Sequence, residues 1–326
     1  MSVKIAVIGL HQLGASVGLA VKDYQEKIIC VGFDPDRRQS DKVEKQKIFA
    51  RVEIQLASVL KDSDLIILAL PADEVHEMLN LIADDLKPEA VVVDTSLLHQ
   101  GMDDFAAGVL SAQNHFISAT PALNPQYLDE QTASIDEPHA DLFHKGAFLV
   151  CCAPKTHPNA VKMAADLAEL LGARPYFTDP VEADAILTKV EILPKLISAA
   201  LVNATVDQPG WKDSSRLAGK AYLKTTAALQ HLDETADLGK AALQVRENTL
   251  RGLDQVIDHL MQIRAAVDQN DASALKEFLT RAKIGREDWL AFRIALDWDT
   301  PSGLPEREKH EVPGHSFWFG QKGRSK

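Results

Sequence analysis

Two glycines mark the first place where residue type and spacing point to chemistry. Gly9-Leu10-His11-Gln12-Leu13-Gly14 follows directly on the apolar run 3–8, and Ala15-Ser16-Val17-Gly18 continues as a helix start. Strand, tight glycine turn and helix is the shape that brings backbone N–H groups to a pyrophosphate. In the full pattern G-x-G-x-x-G, the first glycine makes the turn and the second lets the backbone approach the phosphates. The third lets helix and strand pack closely. Gly9 and Gly14 hold the first and third places and His11 the second. An imidazole there narrows the approach, and it can also donate a hydrogen bond to a phosphate. Gln12 and Leu13 fall within the same contact set.

Asp34 closes the second apolar run, 28–33, 20 residues after Gly14. An acid at that place accepts hydrogen bonds from adenosine ribose hydroxyls and repels a 2′-phosphate, which favours NAD over NADP. Arg37 and Arg38 follow closely and could pair with a 2′-phosphate, so NADP stays possible. The competing reading is a domain of the same shape whose turn has lost its nucleotide.

Further polar residues stand just past other apolar runs. Leu70 and Pro71 end the run 65–70. Asp94-Thr95-Ser96 follows 90–93, with His99 close behind, and Thr120-Pro121 follows 116–119. His115 precedes its run and so falls at the opposite end. Runs of strand length at 3–8, 28–33, 65–70, 90–93, 116–119, 148–152 and 174–177 alternate with amphipathic stretches such as 74–86 and 158–171. This predicts an α/β Rossmann-type fold with a doubly wound, mostly parallel sheet. The runs are almost wholly apolar, as strands covered on both faces should be. In such sheets ligands bind beyond the carboxyl ends of the strands, where the polar residues named above stand.

After Asp179-Pro180 the pattern changes. Residues 181–205 read as one long helical period, with Pro194 as a kink. The stretch 212–289 reads as further helices, broken by the polar stretch 268–272. The expected division is a dinucleotide-binding domain over 1–178, an all-α domain over 179–292 and a tail over 293–326. The tail is rich in proline, glycine and charge and holds one aromatic cluster, Phe317-Trp318-Phe319, expected to pack on the body or on a partner subunit.

The 326 residues, 46% hydrophobic and 25% charged, are enough for two domains and a sizeable core. A net charge of −12 argues against a general nucleic-acid binder but leaves room for a small anionic ligand, which one local arginine can hold. Cys30, Cys151 and Cys152 form no disulfide framework and no zinc spacing. They read as reduced thiols in a cytoplasmic protein. Neither a signal peptide nor a membrane-spanning segment is expected, since the chain enters an apolar strand run within two residues of Met1 and has no apolar run long enough to cross a bilayer.

Several segments resemble the prephenate and arogenate dehydrogenases of tyrosine biosynthesis, from residue 3 to about 289. Gly9–Ser16 resembles the family turn, a glycine followed shortly by serine. Asp64-Leu65-Ile66-Ile67-Leu68-Ala69-Leu70-Pro71 and Val91-Val92-Val93-Asp94 are similar to two of its strand segments. Leu193-Pro194 stands where the family has a Leu-Pro pair, and Asn248 resembles an asparagine that opens a later helix. The most specific match is Gly210-Trp211-Lys212-Asp213-Ser214-Ser215-Arg216-Leu217-Ala218, similar to the family's Gly-Phe-Arg-Asp-x-Thr-Arg-x-Ala.

The resemblance implies a nucleotide-binding domain followed by a helical domain through which two chains form a homodimer. It implies oxidation of a ring hydroxyl, with hydride passed to a nicotinamide and loss of carbon dioxide. It also implies that Arg216 binds a carboxylate of a small anionic substrate through two parallel hydrogen bonds, with Lys195 and Lys212 adding positive potential. On spacing alone, Arg216 pairs with Asp213 one turn earlier. Departures from the family stand at the chemistry. The histidine of its His-Pro-Met-Ala-Gly loop is Thr120 here, and threonine takes no proton at neutral pH. Its Asp-Val-Gly-Ser-Val-Lys loop is Asp94-Thr95-Ser96-Leu97-Leu98-His99, and the histidines flanking its Leu-Pro are missing, with Ala183, Ile192 and Lys195 nearby instead.

Two readings follow. In one, the site is rebuilt: Thr95, Ser96 and Thr120 surround the nicotinamide and His99 supplies the titratable group. In the other, His99 is a surface residue and the family chemistry is gone. The protein then acts on another small hydroxyacid or imine, for which Lys189 or Lys195 would serve as acid, or it binds a dinucleotide without turnover.

Overall fold

The computed structural model describes residues 2–128, 137–230 and 235–295. The C-terminal aromatic cluster and the rest of the chain from residue 296 lie outside the described residues. Eight strands form one sheet: β1 Val3–Ile8, β2 Ile28–Phe33, β3 Arg51–Val52, β4 Leu65–Leu68, β5 Val91–Asp94, β6 His115–Pro121, β7 Ala147–Cys151 and β8 Arg174–Thr178. Their spatial order is β3-β2-β1-β4-β5-β6-β7-β8. All neighbours are parallel except β6 and β7. The doubly wound, mostly parallel Rossmann-type sheet expected from the apolar runs is therefore present. The two-residue strand β3 has no counterpart among the apolar runs, because Arg51-Val52 is too short and polar to form one.

Six helices lie among the strands: α1 Gln12–Ala20, α2 Arg37–Gln46, α3 Leu56–Leu60, α4 Ala72–Ile82, α5 Met102–Val109 and α6 Pro158–Leu170. Successive strand residues point to opposite faces, and both faces are covered. Ile5 and Val7 enter one apolar cluster with Ala15 and Val17 of α1 and Ala164 and Leu167 of α6. Ala6 and Ile8 enter a second with Val75 and Leu79 of α4 and Ala106 of α5.

Beyond β8 the described residues are helical: α7 Pro180–Leu187, α8 Leu193–Val206, α9 Trp211–Leu217, α10 Lys220–Thr226, α11 Thr235–Gln244, α12 Arg246–Asp268 and α13 Ala272–Ala295. The single helix expected over 181–205 is broken into α7, a π turn at Thr188–Ile192, and α8. Pro194 has no N–H to give Val190, and its ring would press on that carbonyl. The backbone N–H of Leu193 instead reaches back to the carbonyl of Thr188, a π-type bond. Ile192, Val245 and Leu98 bury one another, so the loop after β5 is anchored on the helical segment. The chain divides into two compact units, Met1–Lys276 and Glu277–Lys326. The described part of the second is the helical stretch ending at Ala295.

Candidate active site

Four parallel strands, β2, β1, β4 and β5, end on one level, and β6 runs three residues past it to Pro121. Phe33 pairs with Ile8, Ile8 with Leu68, Leu68 with Asp94 and Asp94 with Ser118. The next residues on each strand are Asp34, Gly9, Ala69, Thr95 and Ala119, with Thr120 one further. Register alone thus brings together residues from five separated segments at the carboxyl edge, where open α/β sheets take their ligands.

The turn after β1 needs its two glycines for steric reasons. Gly9 has φ +91°, and a Cβ there would lie 2.2 Å from the Ala69 carbonyl oxygen. A Cβ on Gly14 would lie 1.9 Å from the Gly9 oxygen. His11 is under no such constraint: it is exposed, has φ −67° and stands at the N-cap of α1. The N–H groups of the first turn of α1, at Gln12, Leu13 and Gly14, have no partner within the helix. The first turn also contains no acid, which suits an anion at its N-terminus. The donor set and the tight turn both fit a dinucleotide pyrophosphate. Over α1, Gln12 donates to the Glu137 carbonyl at 3.3 Å and the buried Ser16 hydroxyl accepts the His139 backbone N–H at 3.0 Å. His139 stacks on Tyr127, and among the described residues its Nε2 is buried without a partner.

Asp34 is buried, and its carboxylate accepts the backbone N–H groups of Leu10 at 2.7 Å and Asp36 at 2.8 Å. It fastens the glycine turn to the end of β2, and only the second lone pairs of its oxygens are left for a ribose. Arg37 pairs with Asp41 at 3.2 Å and Arg38 with Asp36 at 3.1 Å, so both arginines already have acidic partners. Leu70 is buried, and Pro71 caps the N-terminus of α4.

At the end of β5 the side chains are tied inward. Thr95 donates its hydroxyl to the Leu68 carbonyl at 2.9 Å. Asp94 is wholly buried and accepts from the backbone N–H of Ser96 at 2.8 Å and from its hydroxyl at 3.0 Å. Burial pushes the Asp94 carboxyl above the usual carboxylate range, against the pull of those donors. The Ser96 hydroxyl is therefore spent on Asp94, and it is the Ser96 carbonyl that faces Thr120, accepting its hydroxyl at 2.7 Å.

His99 is not at the surface. It is 1% exposed, and both ring nitrogens have partners. Nε2 lies 3.0 Å from Thr120 Oγ1 and Nδ1 lies 3.1 Å from Asp184 Oδ1. Asp184, 1% exposed on α7, also accepts the backbone N–H groups of His99 at 2.8 Å and Gln100 at 3.1 Å. A carboxylate with three donors is well compensated for its burial. Asp184 carried no local signal in sequence beyond being an acid among the apolar residues Ala183 and Leu187. A cavity of about 810 Å³ borders His99 and is also lined by Asp103, His115, Lys155 and His157. Burial and the neighbouring Asp104 raise the Asp103 carboxyl to about 6.

The remaining candidates lie on other elements. Lys195 on α8 faces Glu191 at 3.8 Å, and burial raises the Glu191 carboxyl above its usual range. Lys212 and Arg216 are exposed on α9, and Arg216 pairs with Asp213 at 3.2 Å, the one-turn partner that spacing suggested. Among the described residues there is no cluster of His, Cys, Asp and Glu that could hold a metal ion.

Residues 17–177 match the family described as prephenate dehydrogenase, nucleotide-binding domain. Prephenate dehydrogenase of Bacillus subtilis is 22% identical over 324 residues, covering 95% of this chain and 78% of that protein. The same enzyme of Lactococcus lactis is 22% identical over 297 residues, covering 86% and 75%. Among solved structures, the prephenate dehydrogenase of A. aeolicus in complex with hydroxyphenyl propionate and NAD+ superposes with a TM-score of 0.76 at 16% identity, over 89% of this chain and 99% of that one. Synechocystis arogenate dehydrogenase superposes with a TM-score of 0.68 at 21% identity, over 88% and 99%.

Proposed function

Since the chain belongs to the prephenate/arogenate dehydrogenase family, we propose that it is a nicotinamide-dependent dehydrogenase acting on the ring hydroxyl of a small carboxylate. Loss of carbon dioxide then makes the ring aromatic. The observation that carries the reading is the shared level of the strand ends. It puts the glycine turn and the Thr95–Thr120 cluster on one edge, the edge at which open α/β sheets take their ligands.

Gly9, Gln12, Leu13 and Gly14 would hold the pyrophosphate, with His11 at its rim. Leu70 and Pro71 would border the cofactor on the β4 side. When bound, the cofactor accepts the hydride, and the protein binds, orients and excludes water. NAD is the favoured form: Asp34 stands where a 2′-phosphate would be repelled, and Arg37 and Arg38 are engaged by Asp41 and Asp36. Arg216 is our choice for a substrate carboxylate. Its exposed pairing with Asp213 contributes roughly 0–1 kcal/mol, so a bidentate carboxylate can displace it. Lys212 and Lys195 would add positive potential. The helical region is taken to form the homodimer, and the protein is placed in the cytoplasm, consistent with three free cysteines.

The test is spectrophotometric NAD+ reduction by the purified chain with prephenate and with arogenate, alongside calorimetric NAD+ and NADP+ binding. Turnover, with Arg216→Ala raising KM more than it lowers kcat, supports the reading. Absence of dinucleotide binding would sink it.

A further inference from the structure

We infer that Thr120 and His99 form a two-step proton relay, in which the Thr120 hydroxyl meets the substrate hydroxyl and His99 behind it receives the proton. The inference rests on the dehydrogenase reading above and names what replaces the histidine the family carries at position 120. Thr120 is 8% exposed, whereas the His99 side chain is wholly buried. A substrate at the strand ends can therefore touch the threonine but not the imidazole. Threonine takes up no net proton, yet it can receive one proton while passing on its own.

The hydrogen bonds around Thr120 admit both ends of that transfer. With Nε2 bare, the Thr120 hydroxyl can point to His99, 3.0 Å away, leaving its oxygen free for a substrate O–H. With the imidazole doubly protonated, Nε2–H points to Thr120 Oγ1 and the Thr120 hydroxyl turns to the Ser96 carbonyl, 2.7 Å away. The Ser96 carbonyl acts as a rest position for the threonine proton.

The step balances. The substrate C–H electron pair leaves as hydride to the nicotinamide, and the substrate O–H proton passes to Thr120. The former Thr120 proton passes to Nε2, and the substrate carbon gains its C=O bond. Asp184 is a positioning residue. At 3.1 Å from Nδ1 it fixes the tautomer that leaves Nε2 as acceptor, and it stands against the charge that forms on the ring. Its two backbone acceptor bonds, to His99 and Gln100, hold the loop in place for this.

The experiment uses the full chain with NAD+ and the ring-hydroxyl substrate that the wild type turns over. Thr120→Val and His99→Gln should each lower kcat by roughly 10²–10⁴-fold, the range of a general base, with KM and NAD+ affinity within about threefold. Thr120→Ser, which keeps the hydroxyl, should return kcat to within about tenfold of wild type. Nitrogen-15 NMR of histidine-labelled protein supplies a readout independent of turnover. Thr120→Val should move the Nε2 resonance of His99, Asp184→Asn should move its Nδ1 resonance, and the other histidines should stay in place. Wild-type turnover that persists within twofold in Thr120→Val or His99→Gln overturns the relay and leaves the dehydrogenase reading standing. Ring resonances of His99 unmoved by either neighbour's substitution also overturn it. No NAD+ reduction by the wild type with any ring-hydroxyl substrate removes the functional reading, and the relay falls with it.

Discussion

At Gly14 the fold and the cofactor turn make the same demand, and at His11 they separate. A methyl group on Gly14 would sit 1.9 Å from the Gly9 carbonyl oxygen, a backbone atom with nowhere to go. Gly14→Ala should therefore cost at least the ~1–3 kcal/mol of an overpacked core site and abolish measurable NAD+ binding by calorimetry. His11 meets no such wall, and glycine is an acceptable N-cap, so His11→Gly should leave thermal stability within about 0.5 kcal/mol, the usual range for a surface change. A large loss in that variant would mean the imidazole supports the turn. Asp34 gives a sharper case. Both oxygens accept backbone N–H groups, and asparagine offers one oxygen and one donor. Asp34→Asn should lose about 1–3 kcal/mol for one stranded N–H in a denaturant titration, and should weaken NAD+ binding as the turn loosens. These residues were legible in the sequence because turn, acid and strand end are local patterns. Asp184 was not, because it stands 85 residues from His99 in the chain and no spacing rule joins them. Without it, His99 reads equally well as a surface residue, which the buried ring contradicts.

The first turn of α5 carries a charge that folding disfavours. Asp103 faces the cavity beside His99 and is raised to about 6 by burial and by Asp104, even though a helix N-terminus favours a negative charge. Between about pH 4 and 6 the folded chain keeps this proton while the unfolded chain has released it, so stability falls as pH rises through that window. Asp103→Asn removes the effect. Its melting temperature relative to wild type should climb from pH 4 to 6 and then level off; a constant difference across that range would show that Asp103 is not the group. The strands themselves were legible because buried parallel strands are nearly pure apolar runs, and the ends of β1 and β2 match their runs to the residue. The helix through 181–205 was legible only as a periodicity. Proline at 194 announced a break, but whether the chain kinks or widens depends on which carbonyl the next N–H can reach, and here Leu193 reaches Thr188. The short strand β3 left no pattern because two residues hold no period.

On the scale of the whole molecule, α12 has apolar residues on two sides. Gly252 lets Leu193 approach so closely that a Cβ would lie 3.1 Å from its Cδ2. On the outward side, Leu250, Ile257, Leu260 and Met261 are exposed, Ile257 at 54% and Met261 at 57%. The spacing 250, 257, 261 is one helical stripe, and a contiguous apolar stripe in water marks an interaction surface more often than chance. A second copy of the chain is the occupant that the proposed homodimer supplies. Each chain carries a net charge of −12, so association works against mutual repulsion, which salt screens over about 10 Å at 0.1 M. Two consequences follow for light scattering coupled to gel filtration. The wild type should be dimeric, and its dissociation constant should fall as salt is raised from 0.05 to about 0.5 M, because the apolar contact persists while the repulsion is screened. Ile257→Lys with Met261→Lys adds charge to the stripe and removes its apolar area, and should raise the dissociation constant more than about 100-fold, with circular dichroism unchanged. NAD+ binding should survive in that monomer, since the turn, Asp34 and the strand ends all belong to one chain. A double variant that stays dimeric at every salt concentration would move the interface away from α12.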